Sequence, residues 1–346
     1  MNIKEIKEKL QTSEYNFLRT NEHLGDNISI ITLGGSHAYG TNNENSDLDI
    51  RGVLVPTARD ILLNNQYEQF ENRDTDTVIY NIDKLLSLLA NCNPNTIEML
   101  GNKPEHYIYV SKYGQLLLDN KKIFLSKRCI NSFGGYATAQ LRRLENKCIR
   151  EVNQSQREHH ILDTINNAKY SFVEKYPVDN INLYIDNSEQ EDFDTEIFID
   201  VNLKHYPLRD YNGMIEEFKS IVRSYNKEGM RNSKAIEHGK LGKHMMHLLR
   251  LYMMCLDLLE KEEIVTYREK EHDLLMDIRN GKYLDSKSQP KSEFYDILNE
   301  YEKRFEYAKA NTNLPDSPNY EAIEELKFDI HKNIVKNSLG GRKLYL

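Results

Sequence analysis

A predicted strand that runs directly into two glycines constrains the fold more than any other feature of this sequence. Residues 28–33 read Ile-Ser-Ile-Ile-Thr-Leu and are rich in the β-branched residues that favour strands. The run stops at Gly34 and Gly35, where a loop begins. A second strand is predicted over residues 48–55 and ends before Pro56. From about residue 111 the pattern is mainly helical, so the chain is predicted to begin as an α/β structure and to continue as helices.

Two aspartates stand one residue apart at the start of the second predicted strand. Because alternate side chains of an extended chain share a face, Asp47 and Asp49 are predicted to point the same way, and Leu48 the other. Neighbouring carboxylates repel each other, and a divalent metal with oxygen ligands would neutralise them. The backbone at Gly35 and the hydroxyl of Ser36 can donate to phosphate oxygens. The two strings together predict a triphosphate–metal site.

These strings carry a resemblance to a known family. Gly35-Ser36, followed about ten residues later by Asp47-Leu48-Asp49, resembles the signature of the DNA polymerase β-like nucleotidyltransferase superfamily. The longer strings 35–40 and 46–52 are similar to its RNA-repair-associated branch from phages and bacteria. The motif covers residues 34–52, with weaker similarity over 76–100 and 236–283. The resemblance implies an α/β (α+β) nucleotidyltransferase core, with a short mixed sheet flanked by helices, and a mostly α-helical C-terminal domain.

The resemblance also implies a third carboxylate on a neighbouring strand. The string from Asp76 to Tyr80 matches the family pattern, so Asp76 is the expected residue. Asp74 is the alternative, because it lies two residues earlier on the same face of a strand predicted over residues 74–81. A third interpretation is that both residues are surface charges.

A basic stripe is predicted on a long helix over residues 233–260. Lys243, His247 and Arg250 recur at positions i, i+4 and i+7, which places them on one helix face. The string Lys243–Leu251 resembles the family, and such a face could close over a triphosphate or an RNA phosphate. A solvated or internally paired stripe is the other interpretation. Arg279-Asn280-Gly281 also resembles the family, but a helix end with Gly281 at the C′ position explains it without function.

The reaction that the resemblance implies is metal-dependent nucleotidyl transfer. Asp47, Asp49 and Asp76 would be the catalytic and metal-binding carboxylates for two Mg²⁺ or Mn²⁺ ions. Gly35 and Ser36 would hold the phosphates of a nucleoside triphosphate, as would the basic stripe. The enzyme would transfer a nucleoside monophosphate to an acceptor hydroxyl and release pyrophosphate, an activity of the EC 2.7.7 type.

The acceptor is less constrained than the chemistry. An RNA or tRNA 3′ end, in RNA repair, is the first interpretation. Nucleotidylation of a protein or a small molecule, for example AMPylation, uses the same chemistry and stays open. A nucleotide-binding regulator without turnover is the alternative from a different class, although paired charges have no physical reason to persist in an inactive site.

Composition sets the remaining expectations. With 346 residues and a net charge of −8, the chain is long enough for two domains, and its overall charge does not indicate a nucleic-acid partner. We predict a catalytic domain over residues 1–110 and a mainly helical domain over 111–346 that closes on substrate, with a β-hairpin insertion at about 180–205. No stretch reaches the roughly 18 apolar residues of a membrane span, so a cytoplasmic location and no membrane partner are predicted.

Overall fold

The computed structural model describes residues 1–134, 137, 181–187, 195–201, 203–216, 219, 241–286 and 289–340. Its central element is a five-stranded mixed sheet with the strand order β3-β4-β2-β1-β5. The strands are Ile28–Leu33 (β1), Ile50–Leu54 (β2), Gln69–Asn72 (β3), Thr77–Asn81 (β4) and Tyr107–Val110 (β5).

The centre of the sheet is the part that positions the loops of interest. Strand β1 is buried along its whole length, as expected for a β-branched run packed on both faces. It pairs antiparallel with β2 and β5, whereas β2 pairs parallel with β4, and β4 antiparallel with β3. The end of β1 therefore lies beside the beginning of β2, which in turn lies beside the beginning of β4.

Helices surround the sheet and make up most of the described chain after residue 240. Helix Ile82–Ala90 follows β4 without a loop and buries one apolar side, with Leu85 and Leu89 fully enclosed. The helices are Ile3–Lys9 (α1), Phe17–Thr20 (α2), Gly35–Tyr39 (α3), Ala58–Leu63 (α4), Ile82–Ala90 (α5), Pro94–Ile97 (α6), Lys112–Asp119 (α7), Leu241–Lys261 (α8), His272–Arg279 (α9), Ser292–Asn311 (α10) and Tyr320–Gly340 (α11). The predicted fold class is confirmed.

The chain divides into two compact units. The first contains the sheet and consists of Met1–Thr138, Met246–Asn280 and Ser292–Leu346. The second consists of Ala139–Met245 and Gly281–Lys291 and contains the antiparallel hairpin of Ile181–Asn187 (β6) and Thr195–Val201 (β7). The predicted domain boundary near residue 110 stays a prediction. None of the helices in the described ranges has both the length and the apolar character of a membrane span.

Several predicted elements differ from the structure in their bounds. Strand β2 begins at Ile50, so Asp47 and Asp49 lie in the segment that leads into the strand. Strand β4 begins at Thr77, and Asp74 and Asp76 lie in the turn that joins it to β3. The long basic helix is described from Leu241; its predicted first residues, 233–240, lie outside the described part.

Candidate active site

Sheet pairing brings two of the three predicted carboxylates to the same place. Ile50 of β2 pairs with Thr77 of β4, and the amide of Ile50 donates to the carbonyl of Asp76 at 3.2 Å. Asp49 and Asp76 therefore stand side by side, each one residue before its strand. On the other side of β2, the amide of Gly34 donates to the carbonyl of Asp49 at 2.9 Å. The glycine loop and both carboxylates thus share one edge of the sheet.

The backbone at Asp76 presents its side chain in an unusual way. Asp76 has a φ of 45°, in the left-handed region that aspartate tolerates better than most residues. Its side chain is 57% exposed, whereas that of Asp49 is 18% exposed. Asp74, the alternative third carboxylate, lies at the exposed turn. Of these two, Asp76 is the one that the structure brings beside Asp49.

A guanidinium lies between the two carboxylates. Nη2 of Arg51 is 3.7 Å from Oδ1 of Asp49 and 3.4 Å from Oδ1 of Asp76. Nη1 of the same side chain donates to the backbone carbonyls of Ile50, at 3.0 Å, and Asp76, at 2.6 Å. The positive charge that the sequence reasoning assigned to a metal is supplied in this structure by an arginine. This residue was not singled out, although it stands within the matched string 46–52.

The two glycines make room for this charged cluster. Gly35 has a φ of 53°, and a Cβ at this position would lie 1.8 Å from Oδ2 of Asp49. A Cβ on Gly34 would lie 2.8 Å from Cγ of Arg51. Since real Cβ atoms do not approach other atoms this closely, any side chain at Gly35 would displace the carboxylate. The glycine pair is therefore needed to seat Asp49 and Arg51, in addition to the phosphate approach that the sequence predicts.

Asp47 lies in an exposed position in the loop that joins α3 to β2. Arg279, near the end of α9, donates from Nη1 to the carbonyl of Thr41 and from Nη2 to Oγ of Ser46 at 3.0 Å. These bonds fix both ends of the loop segment that precedes Asp47. Arg279 is therefore a second site residue that sequence reasoning missed, because a helix end was sufficient to explain it; the similarity over 236–283 was the available signal.

Tyr39, the last residue of α3, belongs to a buried polar network. The hydroxyl of Tyr39 donates to both carboxylate oxygens of Glu98, at 2.9 and 2.8 Å. Arg250 contributes a bond to Glu98 at 3.3 Å and stacks on the Tyr39 ring, 3.5 Å from its centroid. Burial raises the pKa of the Glu98 carboxyl, and the charge of Arg250 acts in the opposite direction. Burial also raises the pKa of Tyr39 well above its ordinary value.

The three residues of the basic stripe on α8 differ in how exposed they are. Lys243 is exposed and belongs to the second compact unit, whereas His247 and Arg250 belong to the first. His247 is half-buried, with Nδ1 3.2 Å from Nη2 of Arg250. Arg250 is 1% exposed and faces Glu98, so in this conformation it is internally paired. For Arg250, the structure therefore agrees with the interpretation of the stripe as internally paired.

Two histidines near the glycine loop have lowered pKa values. Burial lowers the pKa of His37 on α3, while a hydrogen bond with the backbone of Asp47 acts against this shift. Burial likewise lowers the pKa of His106, which precedes β5 and packs edge-on against the ring of Tyr267. In both histidines burial therefore favours the neutral imidazole.

The donor set at this edge fits a divalent cation in type and in part in arrangement. Asp49 and Asp76 are hard oxygen donors that already share one cationic group, Arg51. Within the described residues, however, no group of three or more His, Cys, Asp or Glu side chains is gathered for a metal ion. Asp47 is thus not assembled with the other two carboxylates in this conformation.

A mixed sheet with flanking helices, and a glycine turn at the end of β1, are consistent with a polymerase β-like nucleotidyltransferase core. Residues 4–169, a little under half of the chain, match the family model for the RNA repair pathway DNA polymerase beta family. The resemblance is confirmed for this segment, and the matched family is a polymerase β-type family associated with RNA repair.

A curated relative supports the same segment at a greater distance. An uncharacterized 38.9 kDa protein from the nrdC–mobD intergenic region of Enterobacteria phage T4 is 29% identical over 119 residues. The match covers 31% of this chain and 35% of that protein, so the chain spans about a third of the length of its relative. No solved structure matches the chain.

Proposed function

We propose that this protein is a divalent-metal-dependent nucleotidyltransferase that transfers a nucleoside monophosphate from a nucleoside triphosphate to the 3′ hydroxyl of an RNA, such as a tRNA, and releases pyrophosphate. The observation that carries the proposal is the pair formed by Asp49 and Asp76. Their carboxylates flank a single guanidinium at the starts of two paired strands, beside the Gly34–Gly35 turn.

In this proposal Asp49 and Asp76 would hold a divalent cation, with Asp47 as a further ligand. Two such cations, Mg²⁺ or Mn²⁺, would stabilise the attacking and leaving oxygens of an in-line displacement. Asp49 is the fixed ligand, because it is mostly buried and backed by Gly35. Asp76 is exposed enough to contact an incoming acceptor.

The protein's own groups would also move the proton and bind the phosphates. Asp76 is the proposed general base that takes the proton from the acceptor hydroxyl, whose oxygen then forms a bond to the α-phosphorus. The bond from that phosphorus to the bridging oxygen breaks, and the electron pair leaves with pyrophosphate. The backbone at Gly35 and the hydroxyl of Ser36 are the proposed donors to the β- and γ-phosphates, with Lys243 and His247 as further contacts. We propose that Arg250 acts indirectly, by holding Tyr39 and Glu98.

An RNA 3′ end is chosen as the acceptor because the matching family is described as part of an RNA repair pathway. To test this, purified protein is incubated with Mg²⁺ or Mn²⁺, each α-labelled nucleoside triphosphate in turn, and a total cell lysate. Label is expected on RNA, and it should disappear when the RNA 3′ hydroxyl is blocked by periodate oxidation. Label on protein would support nucleotidylation instead, and binding of nucleotide without any transfer would support a regulator.

Two neighbouring aspartates provide a matched control. Asp76→Asn should reduce transfer roughly 10²–10⁴-fold, the usual contribution of a general base. Asp74→Asn makes the same chemical change two residues earlier in the same turn and should leave transfer within about twofold. Equal losses in both variants, or full transfer by Asp76→Asn, would contradict the assignment of the third carboxylate.

A further inference from the structure

The two terminal nitrogens of Arg51 contact different kinds of groups. Nη1 donates to the backbone carbonyls of Ile50 and Asp76 and so fixes the starts of β2 and β4. Nη2 faces the carboxylates of Asp49 and Asp76. The side chain is only 19% exposed, and its stem passes so close to Gly34 that a Cβ there would meet it. Contacts with backbone carbonyls alone would explain the position of Nη1, but they do not explain the two carboxylates that face Nη2.

One guanidinium, that of Arg51, faces both carboxylates and brings one unit of positive charge to them. The carboxylate oxygens that Arg51 contacts are those that a divalent cation would bind, since both prefer hard, charged oxygens. Two positive groups within a few ångström of each other repel, and this repulsion is larger in a partly buried place than in water.

We propose that Arg51 is an internal counter-ion that competes with the divalent cation for Asp49 and Asp76, and keeps the carboxylates together while the metal is absent. The inference rests on the proposed function, because it concerns the same site. Asp76 is the group that moves, as its side chain is more than half exposed, whereas Asp49 is fixed against Gly35. Nη1 stays on the carbonyl of Asp76, and Nη2, once released, donates to a phosphate oxygen of the nucleotide beside the glycine turn.

A direct test measures metal binding without nucleotide or acceptor. Free Mn²⁺ is followed by electron paramagnetic resonance during titration of the full chain and of Arg51→Met and Arg51→Gln. Loss of the competing charge should tighten Mn²⁺ binding about tenfold or more. Both variants should also have a lower melting temperature in EDTA, because two carboxylates are left without their cation, and Mn²⁺ should restore most of the loss. Met and Gln are both uncharged and only Gln keeps a polar amide, so agreement between the two variants assigns the change in Mn²⁺ binding to the lost charge.

Arg19 supplies the matched control. Its guanidinium also fixes backbone, through bonds to the carbonyls of Leu10, Gln11 and Thr12. Arg19→Met should lower the melting temperature and leave Mn²⁺ binding unchanged. Asp49→Asn should abolish the tight Mn²⁺ binding in both the native and the Arg51→Gln backgrounds, which locates the ion.

The outcomes separate this inference from the proposed function. Mn²⁺ binding by the Arg51 variants that is unchanged or weaker than that of the native chain would overturn the inference, even if the native chain transfers nucleotides. Tighter Mn²⁺ binding by the variants, together with no transfer to any acceptor by the native chain, would support the inference and overturn the proposed function. Absence of Mn²⁺ binding in every variant would overturn both.

Discussion

Carboxylates meet cations at both ends of the parallel strand pair β2–β4, but in opposite proportions. At the strand starts, one guanidinium, that of Arg51, serves Asp49 and Asp76. Beyond the end of β4, in the first turn of α5, one carboxylate, that of Asp83, is served by Lys327 and His331, each 3.1 Å from its Oδ1. In the first arrangement one cationic side chain is shared by two carboxylates, whereas in the second one carboxylate has two basic partners.

This difference separates a site from a structural contact. Asp83 begins a helix, where a negative charge is favourable, and its partners come from α11, so the cluster joins two helices. Burial raises the pKa of Asp83, but the bonds and charges of His331 and Lys327 outweigh this and lower the pKa below its ordinary value. Asp83 has two basic partners of its own, whereas Asp49 and Asp76 share Arg51 and present hard oxygen donors of the kind that a divalent cation binds.

The largest expected effect comes from removing one charge at each end. Asp49→Asn should reduce nucleotidyl transfer to background while the far-ultraviolet circular dichroism spectrum stays that of the native fold. Asp83→Asn should keep transfer within about threefold and lower the free energy of unfolding by about 1 kcal/mol, because a partly exposed ion cluster contributes little. Transfer assays and urea titrations of both variants make the comparison, which fails if Asp83→Asn is the inactive one.

The second prediction tests whether Gly35 is needed to position the carboxylate of Asp49. Gly35→Ala combines a left-handed backbone with a Cβ 1.8 Å from Oδ2 of Asp49, so it should cost about 1–3 kcal/mol and lower transfer strongly. Gly25→Ala has a similar φ of 59°, but its Cβ would only come within 3.6 Å of the Arg19 carbonyl. It should therefore lose stability by about 1 kcal/mol and keep its transfer rate. Equal transfer by the two variants would show that Gly35 is needed for its backbone alone.

How far the sequence predicts this arrangement depends on the kind of signal. The bounds of β1 agree with the predicted strand over residues 28–33, since an unbroken β-branched run is a strong local signal. Strands β3 and β5 were not predicted, because each has four residues, lies at a sheet edge and has no buried residue to give it a pattern. Their places are set by pairing with strands that are distant in sequence.

The residues of the site also divide into those with a local sequence signal and those whose roles depend on tertiary contacts. The carboxylates and glycines could be found because their spacing is a recognisable string. The role of Arg51 depends on the parallel register that places Asp76 beside Asp49, and the role of Arg279 depends on a helix more than 230 residues later in the chain. Neither the register of two strands nor a tertiary contact can be predicted from the local spacing of residues. The conflict between Gly35 and the Asp49 carboxylate is likewise a property of folded distances.

A moderate effect is expected at the loop that carries Asp47. Arg279→Met removes the bonds to Thr41 and Ser46, so the loop should sample more conformations and the apparent Mg²⁺ requirement for transfer should rise about tenfold. The maximal rate at saturating Mg²⁺ should change less. Arg128→Met is the control, because Arg128 bonds to Ala90 and Asn91 away from the site and should leave the Mg²⁺ requirement unchanged. Identical metal titrations of the two variants would remove Arg279 from the site.

The smallest expected effect distinguishes the two ends by their response to acid. His106 lies near the end of β1, and burial holds its folded pKa below the ordinary value of 6.5, so the unfolded chain binds the proton first. Its contribution to stability is complete above pH 6.5 and is lost as the pH falls toward the folded pKa, with a slope of at most about 1.4 kcal/mol per pH unit.

Asp83 also has a lowered pKa, but its ordinary value is 3.8, so its contribution is complete above pH 3.8 and is lost only in stronger acid. Acidification should therefore weaken the site end of the sheet before the opposite end. Urea titrations between pH 7 and 5 should show a shallower loss of stability for His106→Gln than for the native chain. A native curve that is flat from pH 7 to 5, or equal slopes for His106→Gln and the native chain, would contradict a lowered pKa of His106.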